Sequence, residues 1–456
     1  IIAIILMLFF KLNYFINSDH NGWDWFWQNI STQYLRMDLL KWIWYMHSQP
    51  PGHNLLFGIF IKLFYPNQYL MFQLFSIFTG ALMMVLLYEI ADYLIKSKLL
   101  KTVLIALIFF NPAVFLFENY LLYTLNTGFL VVLSVYWVMK YTVTFKNVYL
   151  YLLFATINIL ILYRSSFHII FIPGLLLYTY IFITNRIRTI FICILISSLS
   201  FGWCLKNYLL YGFFGTSSWY GLNIYKFITT DFNQELRKKV LKQSDIPLLV
   251  SENNHFYTED ITKFSVYGFN KKSRHDFLND NNFHNINIPD ISKKHSEAAV
   301  KVIKIIPEHY FKNAVKAFIL FNKPSYTYDH LESNKKKIKK FVIFYNNLVF
   351  PDNYILKKIN GKDIYFFSGI LYIISGIIIF YQIFFQFLVN IKHKKIYSPE
   401  CILISFILFV LIFFTLISCF FEIGENNRFR FSIEPFIYLI FFYVIDDKIN
   451  SKKWNF

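Results

Sequence analysis

Long apolar runs alternate with short polar connections along almost the whole chain. Ten of them read as membrane-spanning helices, at 1–16, 69–95, 102–117, 121–139, 148–163, 167–183, 189–205, 364–389, 401–421 and 431–445. A helix needs about 20 residues to cross a hydrocarbon layer about 30 Å thick, and the runs cluster around that length. The pattern therefore predicts an all-α polytopic membrane protein. The stretch 54–65, NLLFGIFIKLFY, is apolar but short and contains Lys62, so it reads as an interfacial or re-entrant helix. Counting it as a span would invert every later connection.

Two longer polar stretches interrupt the runs. Residues 17–68 form a first loop, and 206–363 form an Asn- and Lys-rich insertion with amphipathic pieces at 298–321 and 338–356. The expected organisation is a membrane module over 1–205, a helical domain lying on the membrane over 206–363, and a second membrane module over 364–456. The chain opens on Ile1 with no methionine, and its first run is short for a span, so residues are expected to precede it. No small-residue cleavage site precedes Asn17, which argues against a cleaved signal peptide.

Composition agrees: 56% of residues are hydrophobic and 21% aromatic, above the roughly 45–50% apolar content of soluble domains. The net charge of +18 would suggest nucleic acid in a soluble protein. Here the basic residues fall in alternate connections: Lys96, Lys98 and Lys101; Lys140 and Lys146; Arg186 and Arg188; Lys392, Lys394 and Lys395; Lys448, Lys452 and Lys453. The positive-inside rule then places these loops and both termini in the cytoplasm. Membrane lipids account for the excess charge, and nucleic acid drops out as a partner. Cys193, Cys204, Cys401 and Cys419 lie in or at the ends of apolar runs with no CxxC pair, as small buried hydrophobes do.

The opposite face collects residues whose placement needs a reason. Asp19 and Asp24 follow the first run, where a carboxylate can take a proton from an acceptor hydroxyl. Either also serves as an ordinary loop acid or helix cap. Trp23, Trp25, Trp27, Trp42 and Trp44 read as an interfacial aromatic belt. His47 and His53 bracket Pro50 and Pro51 at a spacing that does not suit a metal pair. Glu118, Arg164 and His168 sit at ends of runs, where a charge can snorkel or can converge on a phosphorylated lipid. The strongest signal is FEIGENNRFRFSIEPF, which packs Glu422, Glu425, Arg428, Arg430 and Glu434 between two apolar runs. The arginine fork suits phosphate oxygens.

Three segments resemble the polyprenyl-phosphate-sugar glycosyltransferases of the GT-C fold, the superfamily of protein O-mannosyltransferases and the lipid A aminoarabinose transferase. HSQPPGHNLLFGIFIKLF is similar to their His-Pro-Pro stretch. GWCLKNYLLYGFFGTSSWYGLNIYKF resembles a second block through Trp203, Asn207, Gly212, Ser217, Gly221, Asn223 and Tyr225, and GENNRFRFSIEPF resembles the closing block. In order and spacing the resemblance runs from Asp19 to Pro435. Lys206 stands where the family has arginine, and the first loop has separated Asp19 and Asp24 in place of a paired Asp-Glu.

The resemblance implies a GT-C-like bundle that transfers a sugar, with inversion, from a polyprenyl-phosphate donor to a glycan, lipid or protein acceptor. The membrane would be the bacterial inner membrane or the endoplasmic reticulum, with the site on the extracytoplasmic or lumenal face. Asp19, with Asp24 in reserve, is the implied base. Arg428, Arg430, Arg164 and Lys206 are the implied phosphate contacts, with His47, His53, Glu118, Asn207, Asn223 and Glu425 as further site candidates. No metal and no cofactor is implied. The competing readings are a lipid-linked saccharide transporter or flippase and a polysaccharide polymerase. Transporters place ionisable groups near the bilayer midplane, whereas here they fall at the ends of runs.

Overall fold

The structure is a computed structural model and describes residues 23–25, 29–182, 186–246, 288–349 and 398–451. Asp19 and the runs 1–16 and 364–389 lie outside the described residues.

The described residues form helices and no strands. Those of the first loop are α1 (Thr32–Met37), α2 (Leu39–Trp44) and α3 (Gly52–Phe64). The bundle follows with α4 (Gln68–Leu94), α5 (Lys98–Phe109), α6 (Pro112–Glu118), α7 (Thr124–Thr144), α8 (Val148–Tyr163), α9 (Phe171–Phe182) and α10 (Arg186–Tyr211). The polar insertion contributes α11 (Tyr220–Thr229), α12 (Gln234–Gln243), α13 (Ile288–Ile305), α14 (Pro307–Phe321), α15 (Glu332–Lys337) and α16 (Lys339–Val349). The chain returns to the bundle with α17 (Pro399–Phe421), α18 (Asn426–Arg430) and α19 (Glu434–Ser451).

Four of these helices, α4, α7, α10 and α17, are long and apolar enough to cross a membrane. The run expected at 102–117 is not one straight helix, because α5 and α6 meet at a 45° bend. The cause is local: Asn111 accepts from the Ala113 amide at 2.9 Å and caps a new helix whose first residue is Pro112. The runs at 148–163 and 167–183 form helices of 16 and 12 residues, shorter than a full crossing. Residues 54–64 lie in the 13-residue α3, and Tyr65 ends it.

Contacts between helix ends sort the connections into two rims. At one rim the α4–α5 corner is closed by Asp446 near the end of α19, which accepts from the Lys96 and Ser97 amides at 2.8 and 3.0 Å. Lys140 pairs with Glu89 there at 3.0 Å, and Asn147 bridges to Thr189 at 3.1 Å. The Tyr178 hydroxyl donates to the Ile402 carbonyl at 2.7 Å and ties the end of α9 to the start of α17. Every described basic cluster of the short connections lies at this rim. Glu118, Arg164, Lys206 and the turn after α17 lie at the other.

The polar insertion sits on that second rim. Helices α11 and α13 cross at Gly221, where a Cβ would lie only 1.8 Å from the Ser292 carbonyl oxygen, so no larger residue fits. The Gly221 amide donates to the Ser292 hydroxyl at 2.8 Å, and Ile224, Ile228, Val240, Ala299 and Val302 pack around the crossing. The Tyr310 hydroxyl of α14 donates to the Phe420 carbonyl at 2.8 Å, and that of Tyr345 on α16 to the Leu107 carbonyl at 3.1 Å. Both bonds seat the insertion on the ends of bundle helices.

Candidate functional site

The closing turn begins where α17 ends. Gly424 takes a φ of +116°, a backbone shape that side-chain-bearing residues rarely adopt. Asn426 holds the turn shut, accepting from the Gly424 amide at 3.0 Å and donating to the carbonyls of Ser418 and Glu422 at 2.8 and 2.9 Å. Arg428 and Arg430 follow on the single-turn α18. Two residues on a helix differ by roughly 200° in direction, so the two guanidiniums leave on opposite sides.

Arg430 points into the protein. It donates to the Asn322 carbonyl at 2.8 Å and to Glu434 at 3.1 Å, and no part of its side chain is exposed. Glu434 also accepts from the hydroxyls of Tyr438 and Ser325, at 3.2 and 2.8 Å. This arginine, expected at the phosphate, fastens the insertion to α19.

Arg428 points towards α8. It donates to Glu425 at 2.6 Å, to the Tyr123 hydroxyl at 3.3 Å and to the Tyr328 hydroxyl at 3.5 Å. Tyr328 in turn donates to Glu425 at 3.0 Å. Burial by itself would raise the Glu425 carboxyl, but Arg428 and Lys226 outweigh it and hold it below the usual carboxylate range. Burial raises the Glu422 carboxyl, with Lys226, 3.4 Å away, opposing the shift and Glu425 adding to it.

Arg164 faces the same space from the end of α8. Its side chain is buried, with Cζ 4.1 Å from the ring centre of Phe429 and 5.1 Å from that of Tyr123. The Cζ of Arg428 lies 5.4 Å from the same Tyr123 ring and 5.5 Å from that of Phe429. Both terminal nitrogens of Arg164 lack a hydrogen-bond partner. Burial, with Arg428's positive charge adding to it, lowers the Arg164 pKa to about 10. Two aromatic faces compensate a buried guanidinium in part. Its N–H donors remain unmatched, which is costly in a protein interior.

The other expected residues divide. His53 lies beside the arginine pair: its ring is 5.4 Å from Tyr123 and 4.9 Å from the buried Trp23. Its Nε2 donates to the Leu121 carbonyl at 3.0 Å, and its Nδ1 accepts from the Tyr163 hydroxyl at 3.2 Å, which itself accepts from Asn126 at 2.8 Å. Burial lowers its pKa to about 3, so the imidazole is neutral. Asp24 is exposed, and its two oxygens accept from the Thr32 amide at 2.6 Å and hydroxyl at 2.8 Å. Lys206 donates to the carbonyls of Trp44 and Met46 at 3.0 and 2.8 Å, over the Trp203 ring, and so fastens the first loop. His47 meets Ser218 at 3.1 Å, and Asn207 donates to the Gly215 carbonyl at 2.7 Å. Glu118 is buried at the end of α6, and Asn223 is half-buried on α11. Among the described residues no three His, Cys, Asp or Glu side chains are grouped to hold a metal ion.

Tyr123, Tyr328, Phe429 and Lys226 complete the arrangement, and sequence reasoning missed all four. With 33 tyrosines and 55 phenylalanines in the chain, residue type carries no signal for them. Compared with known proteins, the chain matches no family model, no curated protein and no solved structure. The arrangement itself is a pair of buried guanidiniums that share two aromatic rings, one of them with unmatched donors, and its chemistry suits an oxyanion.

Proposed function

We propose that this chain is a membrane-embedded glycosyltransferase, a GT-C-like bundle of about ten spans that moves a sugar from a polyprenyl-phosphate donor to an acceptor on the extracytoplasmic or lumenal face. The observation that supports this most is Arg164, whose two unpartnered terminal nitrogens share the Tyr123 and Phe429 rings with Arg428. A lipid-linked phosphate supplies the missing acceptors. In the reaction an acceptor hydroxyl oxygen bonds to the sugar's anomeric carbon as the carbon–oxygen bond to phosphate breaks. The bonding pair leaves on the phosphate oxygen, where Arg428 and Arg164 stabilise it. The hydroxyl proton goes to a carboxylate. Asp24 is engaged by Thr32, which favours Asp19 as that base.

Purified protein supplied with radiolabelled polyprenyl-phosphate sugars tests the reading. Label should pass to the acceptor with inverted configuration, leaving polyprenyl phosphate. Asp19→Asn should lower the rate about 10²-fold or more while donor binding persists, the usual scale for a general base. A dead Asp24→Asn protein beside an active Asp19→Asn protein would reverse the assignment. Passage of intact donor across a proteoliposome without turnover would mark a flippase. Use of diphosphate-linked oligosaccharide alone would mark a polymerase.

A further inference from the structure

Two helices of the insertion keep an apolar face that is exposed among the described residues. On α14, Phe311, Val315 and Ile319 recur at i, i+4 and i+8 and are exposed, Phe311 and Val315 by about three-fifths. Asn313, Ala314, Ala317 and Phe321 on the other side are buried. On α16, Ile343, Phe344 and Leu348 are exposed in the same manner, while Val342 and Tyr345 face inward.

Their height is fixed by the bundle. Tyr310, next to Phe311, is bonded to the last turn of α17, and Tyr345, next to Phe344, is bonded near the end of α5. Phe341 packs on Phe115 of α6 at 5.3 Å. Both strips therefore stand level with the ends of apolar helices, where hydrocarbon gives way to headgroups.

Charge lies beside them. Residues 307–349 contain eight lysines against Glu308, Asp329 and Glu332, a formal excess of five. Lys316 pairs with Asp231, Lys335 with Glu332, and Glu308 with Lys239. Lys312, Lys336, Lys339 and Lys340 have no ion-pair partner among the described residues. Amphipathic helices with apolar and aromatic residues on one face and lysines at its edges lie in the boundary of an anionic leaflet.

We propose that α14 and α16 form a collar that rests in the membrane surface and binds anionic phospholipid headgroups through Lys312, Lys336, Lys339 and Lys340. The collar holds the roof of the arginine site at a fixed depth, because Asn322 and Tyr328, which contact Arg430 and Arg428, lie between its two helices. The proposal needs only a membrane-embedded bundle and is independent of the glycosyltransferase reading.

The test uses the full chain in nanodiscs of phosphatidylcholine, alone or mixed with phosphatidylglycerol. An environment-sensitive fluorophore is placed on Val315→Cys or Leu348→Cys, with Gln243→Cys of α12 as a control; the four native cysteines are buried. In mixed discs both collar labels should be quenched by brominated acyl chains and shielded from aqueous iodide, while the control stays open to iodide. Raising salt, or replacing the four lysines with glutamate, should return the collar labels to water, with about a five-fold loss of anionic-lipid preference per charge. The salt titration decides the matter if the glutamate variant fails to fold. Labels open to iodide in both lipids would overturn the proposal. So would labels buried equally in both lipids with no response to salt, or shielded from iodide yet untouched by brominated chains, which would mean a protein partner.

Discussion

Arg428 and Arg430 sit two residues apart on one helical turn and meet opposite conditions. Arg430 is enclosed by Glu434 and a carbonyl, within a network that Tyr438 and Ser325 complete. Arg428 spends part of its fork on Glu425 and two tyrosine hydroxyls and shares its aromatic walls with Arg164, which has no hydrogen-bonding partner at its tip. A buried cation whose two terminal nitrogens are both matched is structure. A buried cation left with unmatched donors lowers stability, and it is retained where something else supplies the acceptor.

Mutation should separate the two. Arg430→Ala leaves Glu434 buried without its partner and should lower folding stability by about 3 to 5 kcal/mol, the scale for breaking a buried pair. Turnover per folded molecule should stay normal; a stable but inactive Arg430→Ala protein would erase the distinction. Arg428→Ala should instead remove about 2 to 4 kcal/mol of transition-state stabilisation, as the loss of one preorganised donor does. Arg428→Lys, which keeps charge and loses the fork, should still impair donor use measurably. Normal turnover by a well-folded Arg428→Ala protein would remove its phosphate role.

The neutral His53 beside Tyr123 extends the comparison to pH. Its folded pKa of about 3 lies below the ordinary 6.5, so the unfolded chain binds the extra proton between those values and stability falls as pH drops through that window. At about pH 5 the loss is roughly 2 kcal/mol relative to neutral pH. His53→Phe should flatten the acid limb of the melting curve, and an unchanged limb would show that another group carries it. The smallest effect has the opposite sign. Arg164→Met removes a cation with unmatched donors and should raise stability by roughly 1 kcal/mol while abolishing donor binding. Lower stability with intact binding would make Arg164 a packing residue.

Much of the bundle was legible because membrane crossing demands long apolar runs, and the described runs fall on helices, four of which, or five counting the bent pair, are long and apolar enough to cross a membrane. The bend at Asn111–Pro112 had a signal in that dipeptide, which favours a turn and a new helix start over a continuous span. The site was legible only at its charges. Glu425 and Arg428 lie close in sequence and are found together, whereas Tyr123 reaches Arg428 across 305 positions and Tyr328 across 100. No local pattern reports such pairings. Lys206 shows the converse: its motif position suggested phosphate, but the nearest acceptors are the carbonyls of the first loop.

The Asp446 clasp at the far rim has a consequence for how the chain is made. The amides of Lys96 and Ser97 find their acceptor 350 and 349 positions later. At about 5 to 20 residues per second of synthesis, that corner waits roughly 20 to 70 s for its closing carboxylate. The α4–α5 corner stays unclosed through all of that synthesis, so a chain released short of Asp446 carries two amides without their acceptor, where a translocase or quality-control protease can find them.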